Sequence, residues 1–188
     1  HFLRSYCLVV IAIICGAIAV LYGFVTSRQV LSASAGNEKM QEIAGAIQEG
    51  AQAYLGRQYR TIGIVGVVVA ILVFIFLDLN STIGFVVGAV LSGVAGYIGM
   101  NISVKSNLRT AAAAMKGLQE GLTLAFRAGA ITGMLVAGLA LLAIAGFYYV
   151  LTNVMGLSLA EAGERREIVD ALVALAFGAS LISIFARL

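Results

Sequence analysis

Apolar residues dominate five stretches of this chain, at about residues 6–26, 61–77, 82–100, 129–151 and 168–186. No charged side chain lies in their interiors; Asp170 stands at the start of the fifth. Each stretch is close to the roughly 20 residues that cross a bilayer as a helix. Lipid offers a backbone amide no hydrogen-bond partner, so each segment must satisfy its own backbone, which makes it helical. The two-residue alternation of a membrane β-barrel is missing. The pattern therefore predicts an all-α fold, a polytopic membrane helix bundle of about five transmembrane helices.

The segments between the runs are patterned too. From Asn37 to Tyr59, apolar residues recur at Met40, Ile43, Ile47, Ala51 and Tyr54, while Glu38, Gln41, Glu42, Gln48, Glu49 and Gln52 occupy the other face. That period is helical, with Asn37 as N-cap and Glu38 well placed in the first turn. From Lys105 to Phe126, Leu108, Met115, Leu118, Leu122 and Phe126 share a face in the same way. Residues 27–60 and 101–128 are thus expected to be helical loops that extend the neighbouring spans; helices lying on the membrane surface are the alternative. On the other side, Asp78–Ser81 reads as a tight turn, and Ser158 with Glu161 fits a capping box ahead of the fifth span.

Composition narrows the class. Of 188 residues, 61% are hydrophobic and 11% charged, against roughly 25% charged in soluble domains. A soluble globular enzyme and a disordered chain are both excluded. The two cysteines, Cys7 and Cys15, share one apolar run and make no disulfide framework. With no proline, no span is kinked at one. The first run, about 20 residues long, exceeds a signal-peptide core and reads as a retained span.

The net charge of +3 reports topology rather than a nucleic-acid partner. Arg28, Lys39, Arg57, Arg60, Lys105, Arg109, Lys116, Arg127 and Arg187 fall on one side of the spans; only Arg4, Arg165 and Arg166 fall on the other. The positive-inside bias puts the first group in the cytoplasm, the N-terminus outside and the last residues inside.

Small residues are ordered along the spans. Gly84, Gly88, Ser92 and Gly96 form a ladder at four-residue spacing on the third, and Gly129, Gly133 and Ala137 repeat it on the fourth. The first span has Ala12 with Gly16 and Ala19 with Gly23. Such stripes let helix backbones approach where no hydrophobic effect drives association, so these are expected to be packing positions. A glycine-lined pore is the functional alternative; a P-loop is absent because no glycine-rich loop ends in Gly-Lys-Ser/Thr.

Catalytic chemistry is missing. An intramembrane proton or ion carrier needs a buried ionisable group, yet all nine acidic residues lie in loops or at span ends and the one histidine is His1. No His/Cys grouping or paired carboxylates offer a metal site, and a Ser-His-Asp arrangement cannot form. Arg187 stands out at the close of the fifth span, after Gly178, Ser180 and Ser183. It is either a snorkelling anchor or a charge at the mouth of an ion path. With no polar tail after it, the chain is expected to be part of a longer one.

Several segments resemble the membrane-integral, proton-pumping inorganic pyrophosphatases. They are Glu49–Ile62 (EGAQAYLGRQYRTI), Gly88–Met100 (GAVLSGVAGYIGM), Ser103–Arg109 (SVKSNLR), Gly133–Leu142 (GMLVAGLALL) and Gly178–Leu188. The resemblance runs over nearly the whole chain in the family's order. It implies the first five of about sixteen spans of a pump that hydrolyses pyrophosphate on the cytoplasmic side and moves protons, or sodium in some members, outward. It also implies a homodimer, Mg2+ as cofactor, and a bacterial inner membrane as its place, with K+ dependence undecided. The partners implied are the lipid bilayer, the rest of the same polypeptide and pyrophosphate as substrate, with no nucleic acid. Arg187 matches the family's arginine in the ion path, near the gate below the active site. The pyrophosphate and magnesium ligands of the family would lie beyond Leu188, so the enzyme is expected to be the full-length protein, this stretch supplying scaffold helices and one gate residue.

Two readings from other classes stay open. A rotary-type ring subunit would need a carboxylate in mid-span, which is absent. A complete five-span scaffold or assembly subunit without activity accounts equally well for the glycine ladders and the absent chemistry.

Overall fold

Each apolar run lies inside one long helix. The structure, a computed structural model, describes the backbone of residues 2–187 and the side chains of residues 6–184. Five α-helices follow in order: α1 (Phe2–Leu31), α2 (Glu38–Phe76), α3 (Leu79–Ala114), α4 (Leu118–Tyr149) and α5 (Ala162–Arg187). A π-helical turn, Val150–Val154, continues α4. No strand occurs among the described residues, and all five helices contain a segment long and apolar enough to cross a membrane. The protein is an integral membrane helix bundle.

The helices outrun the bilayer at the end where the basic residues gather. The 39 residues of α2 rise about 58 Å at 1.5 Å each, against a hydrocarbon core about 30 Å thick. The polar half, Glu38–Arg60, runs into the apolar half without a break. Asn37 starts the helix: its backbone is extended and its side chain accepts from the Met40 N–H at 2.9 Å. At the opposite end only Leu77 and Asp78 separate α2 from α3. Asp78 caps α3 by accepting from the Ser81 N–H. Asn80 and Ser81, expected in a turn, already lie in the first helical turn.

Three expectations need correction. The face shared by residues 105–126 is not one helix, because the chain reverses at Met115–Gly117 and α4 begins at Leu118. A fourth span must re-enter the membrane, so the helix has to break even where the apolar period continues. Along the polar half of α2, the face turned inward is Met40, Ala44, Gln48, Ala51 and Leu55, while Ile43, Ile47 and Tyr54 are exposed. The inward side is decided by where α3 lies, because Gln48, Ala51 and Leu55 line one crevice with Asn101, Val104 and Lys105, and not by which side of α2 is most apolar. Finally, the Ser158–Glu161 box does not form. The Glu164 carboxylate accepts from the Ser158 N–H instead, and the Ser158 hydroxyl accepts from the Ala160 N–H.

α3 is the hub. It packs against α5, α4 and α2, and more lightly against α1. α1 lies along α4 rather than along α2, its neighbour in sequence. One buried cluster joins α4 to α5 through Ala143, Phe147, Leu151, Ile168, Ala171 and Leu175. A second joins α1, α3 and α4 through Val30, Ile102, Ile131 and Leu135. Large apolar side chains elsewhere point outward, as in Leu8, Ile18, Ile75 and Phe76, the surface expected of helices whose surroundings are lipid.

Candidate functional site

The tightest part of the molecule is the seam between α3 and α5. These helices run parallel, because Gly84 faces the Ala171 carbonyl, Gly88 faces the Leu175 carbonyl and Ser92 faces Ala179. A Cβ at Gly84 or Gly88 would overlap the facing backbone oxygen. The next rung is a hydrogen bond, in which the Ser92 hydroxyl donates to the Ala179 carbonyl at 2.8 Å. The approach is reciprocal: a Cβ at Gly178 would overlap the Phe85 carbonyl. At the outer end of the seam, the buried Asn80 amide donates to Glu167, so this carboxylate is held where α5 begins.

The ladder changes partner at Gly96. A Cβ there would come 2.9 Å from the Tyr59 Oη of α2. Tyr59 crosses the space above Gly96 and donates to the Gly93 carbonyl at 2.7 Å. Its ring meets Tyr97 edge-on, with centroids 5.6 Å apart. The stripe thus serves two neighbours, with Gly84, Gly88 and Ser92 on α5 and Gly96 on α2. At Gly129 and Gly133 a Cβ would meet nothing within 4 Å. The close contact of α4 lies one residue round from Ala137: a Cβ at Gly138 would come 2.9 Å from the Gly16 carbonyl of α1. Gly16 and Gly23 are closed in turn by Leu142 and Leu135.

Sequence reasoning did not single out Gly138, Gly178 or Tyr59 for packing. Gly178 and Gly138 each sit in a span rich in small residues, where spacing alone does not say which face meets a neighbour. Tyr59 gave no signal, because its partner is a backbone carbonyl 34 residues away.

Below this seam, a groove of about 530 Å³ opens between α2, α3, α4 and α5. Tyr54, Tyr59, Ser92, Ser103, Thr132 and Ser183 supply its polar side chains, and among the described residues no Asp, Glu, Lys, Arg or His lines it. These side chains can donate and accept hydrogen bonds, but none of the described ones takes up and releases a proton near neutral pH. No group of three or more His, Cys, Asp or Glu side chains occurs among the described residues. Arg187, expected at a gate, belongs to the last turn of α5; its side chain lies outside the described residues.

A family model described as inorganic H+ pyrophosphatase matches residues 17–188. A relative from Methanosarcina mazei, a K+-insensitive pyrophosphate-energized proton pump, is 43% identical over 182 residues, covering 96% of this chain and 25% of its own. A protein of the same description from Pyrobaculum aerophilum is 40% identical over 190 residues, covering 97% and 25%. A Clostridium tetani protein, provisionally named a K+-stimulated pyrophosphate-energized sodium pump, is 40% identical over 126 residues, covering 67% and 19%. The chain spans about a quarter of the length of the curated relatives it matches.

Proposed function

The chain belongs to the inorganic H+ pyrophosphatase family, and from that premise we propose that it is the N-terminal quarter of an ion pump coupling pyrophosphate hydrolysis to outward proton translocation. The observation that carries this reading is the match over residues 17–188 together with relatives named as pumps. Its own residues support a division of labour. Pyrophosphate with a divalent metal is a dense anionic complex whose site requires clustered cations and carboxylates. The described residues bring together no group of three or more Asp, Glu, His or Cys side chains that could hold the metal. They do not fit Mg2+ as ligands, so no catalytic step is assigned to them. What they supply is shape: a parallel α3–α5 seam whose backbones touch, and Tyr59 fastening α2 to the same helix.

In this proposal α5 carries Arg187 to the cytoplasmic end of the ion path. The Gly84–Gly88–Ser92 seam fixes the height of α5, and hence of that arginine, against the scaffold. Gly96 seats Tyr59, while Gly129 and Gly133 leave an open face on α4 for other helices of the same polypeptide. The working unit is a homodimer in the inner membrane of a bacterial cell, with the nine bases of the Arg28–Arg187 set cytoplasmic. Protons are favoured over sodium because the relatives with the fullest coverage given above are named proton pumps. Their names include K+-insensitive, which favours activity without potassium.

The test is the full-length protein reconstituted in sealed vesicles with pyrophosphate, Mg2+ and no potassium. Acidification of the lumen that a proton ionophore abolishes is expected. Hydrolysis with sodium uptake and no acidification would move the protein to the sodium pumps. Neither hydrolysis nor uptake would overturn the pump reading.

A further inference from the structure

At the basic end of the bundle, a pocket of about 350 Å³ lies between the α1–α2 connection, the last turns of α3 and the first turns of α4. Arg109, Lys116 and Arg127 line it, with Glu120 the one acidic side chain among the lining residues and the hydroxyls of Ser34 and Thr123 alongside. Its volume equals that of about a dozen liquid waters, enough for a phosphate group and what it is attached to.

Arg109 is held in place. Its Nε donates to the Leu31 carbonyl at 3.0 Å and its Nη1 to the Lys105 carbonyl at 2.7 Å. Carbonyls fix the guanidinium without neutralising it, and Nη2 is left over. Lys116 lies in the α3–α4 reversal and Arg127 in α4; both are exposed, and their side chains have no hydrogen-bond or ion-pair partner among the described residues. Glu120 forms no ion pair with them at the described geometry. Three cations and one carboxylate therefore surround one concavity with a formal charge of +2, in an orientation set by two backbone contacts. A multivalent oxyanion matches that charge, and guanidinium and ammonium groups are its usual donors. Arg127 stands two residues before the fourth apolar run, so the pocket opens at the membrane surface, where anionic headgroups lie.

We propose that this pocket binds a phosphate group on the basic face of the protein, either the headgroup phosphate of an anionic lipid or free inorganic phosphate. The proposal rests on these residues alone and does not depend on the pump assignment.

The experiment uses the full-length protein, delipidated in neutral detergent, as wild type, as a Lys116→Gln/Arg127→Gln double variant and as Glu120→Gln. Arg109 is left intact because it also ties α3 to α1. One arm adds phosphatidylglycerol or phosphatidylcholine and counts retained lipid by native mass spectrometry. The other titrates inorganic phosphate at constant ionic strength and follows the thermal midpoint. The readout is the difference between proteins, so phosphate bound at a catalytic site cancels. In the arm that carries the true ligand, the double variant should bind about tenfold more weakly, the scale of losing charged hydrogen bonds. Glu120→Gln should bind more tightly, an opposite sign that a folding defect would not produce. A response to phosphatidylglycerol alone assigns the headgroup, and a response to inorganic phosphate assigns the free anion. Equal behaviour of the double variant and wild type in both arms overturns the proposal.

Discussion

Gly88 of α3 lies so close to the carbonyl of Leu175 on α5 that no Cβ fits between them. The contact is backbone against backbone, and it recurs one turn earlier at Gly84 and Ala171. Gly88→Leu should therefore destabilise the full-length protein by about 3 kcal/mol or more, at the upper end of overpacking penalties. Gly129→Leu, on an open face, is expected to stay within about 0.5 kcal/mol unless another helix of the same protein covers that face. Detergent-denaturation midpoints of the two variants check both statements, and equal losses would place a neighbour on Gly129.

The seam ends in a single hydrogen bond. Ser92→Ala removes the donor to the Ala179 carbonyl and leaves no charged group unpaired. Hydrogen bonds between transmembrane helices are worth about 0.6 kcal/mol on average, with a maximum near 1.7. A loss in that range is expected from equilibrium unfolding. A loss above 3 kcal/mol would mean that the hydroxyl has a second role.

Tyr59→Phe tests the α2–α3 latch. The ring stays against Tyr97, and only the bond to the Gly93 carbonyl is lost. A cost similar to that of Ser92→Ala is expected, whereas Gly96→Leu should cost more because it displaces the whole ring from its seat. Parallel thermal scans of the two variants rank them.

Asn37 holds the first turn of α2 by accepting from the Met40 N–H. Asn37→Ala should cost about 1 kcal/mol, the usual loss for such a cap. Asn37→Asp should retain the stability, because a carboxylate caps as well and also favours the positive end of the helix dipole. Hydrogen exchange at residues 38–42 locates the effect.

Under the proposed role of Arg187, Arg187→Ala should lower proton uptake per pyrophosphate hydrolysed, and Arg187→Lys should restore part of it. A purely anchoring arginine would leave that ratio unchanged in both variants. Vesicle acidification measured alongside phosphate release separates the two outcomes.

Much of this was legible along the chain. Five runs of bilayer length with uncharged interiors dictate five helices, because lipid leaves the backbone no other partner. Asn37 was readable as a cap because capping is local chemistry. The Gly84–Gly88–Ser92 stripe showed that a neighbour could come close, since four-residue spacing stacks small residues on one face. None of these features requires knowledge of a second helix.

Which helix approaches which was decided only in three dimensions. The stripe on α3 is divided between α5 and α2, with Tyr59 taking the place beside Gly96. On α4 it is Gly138 in the span, and Gly121 beside the reversal, that touch another helix's backbone, not Gly129 or Gly133. Along the polar half of α2, Met40, Ala44, Gln48, Ala51 and Leu55 face in while Ile43 and Ile47 face out. Within the membrane the driving force is close packing, and the fit between two surfaces is a property of the pair that neither sequence segment contains by itself.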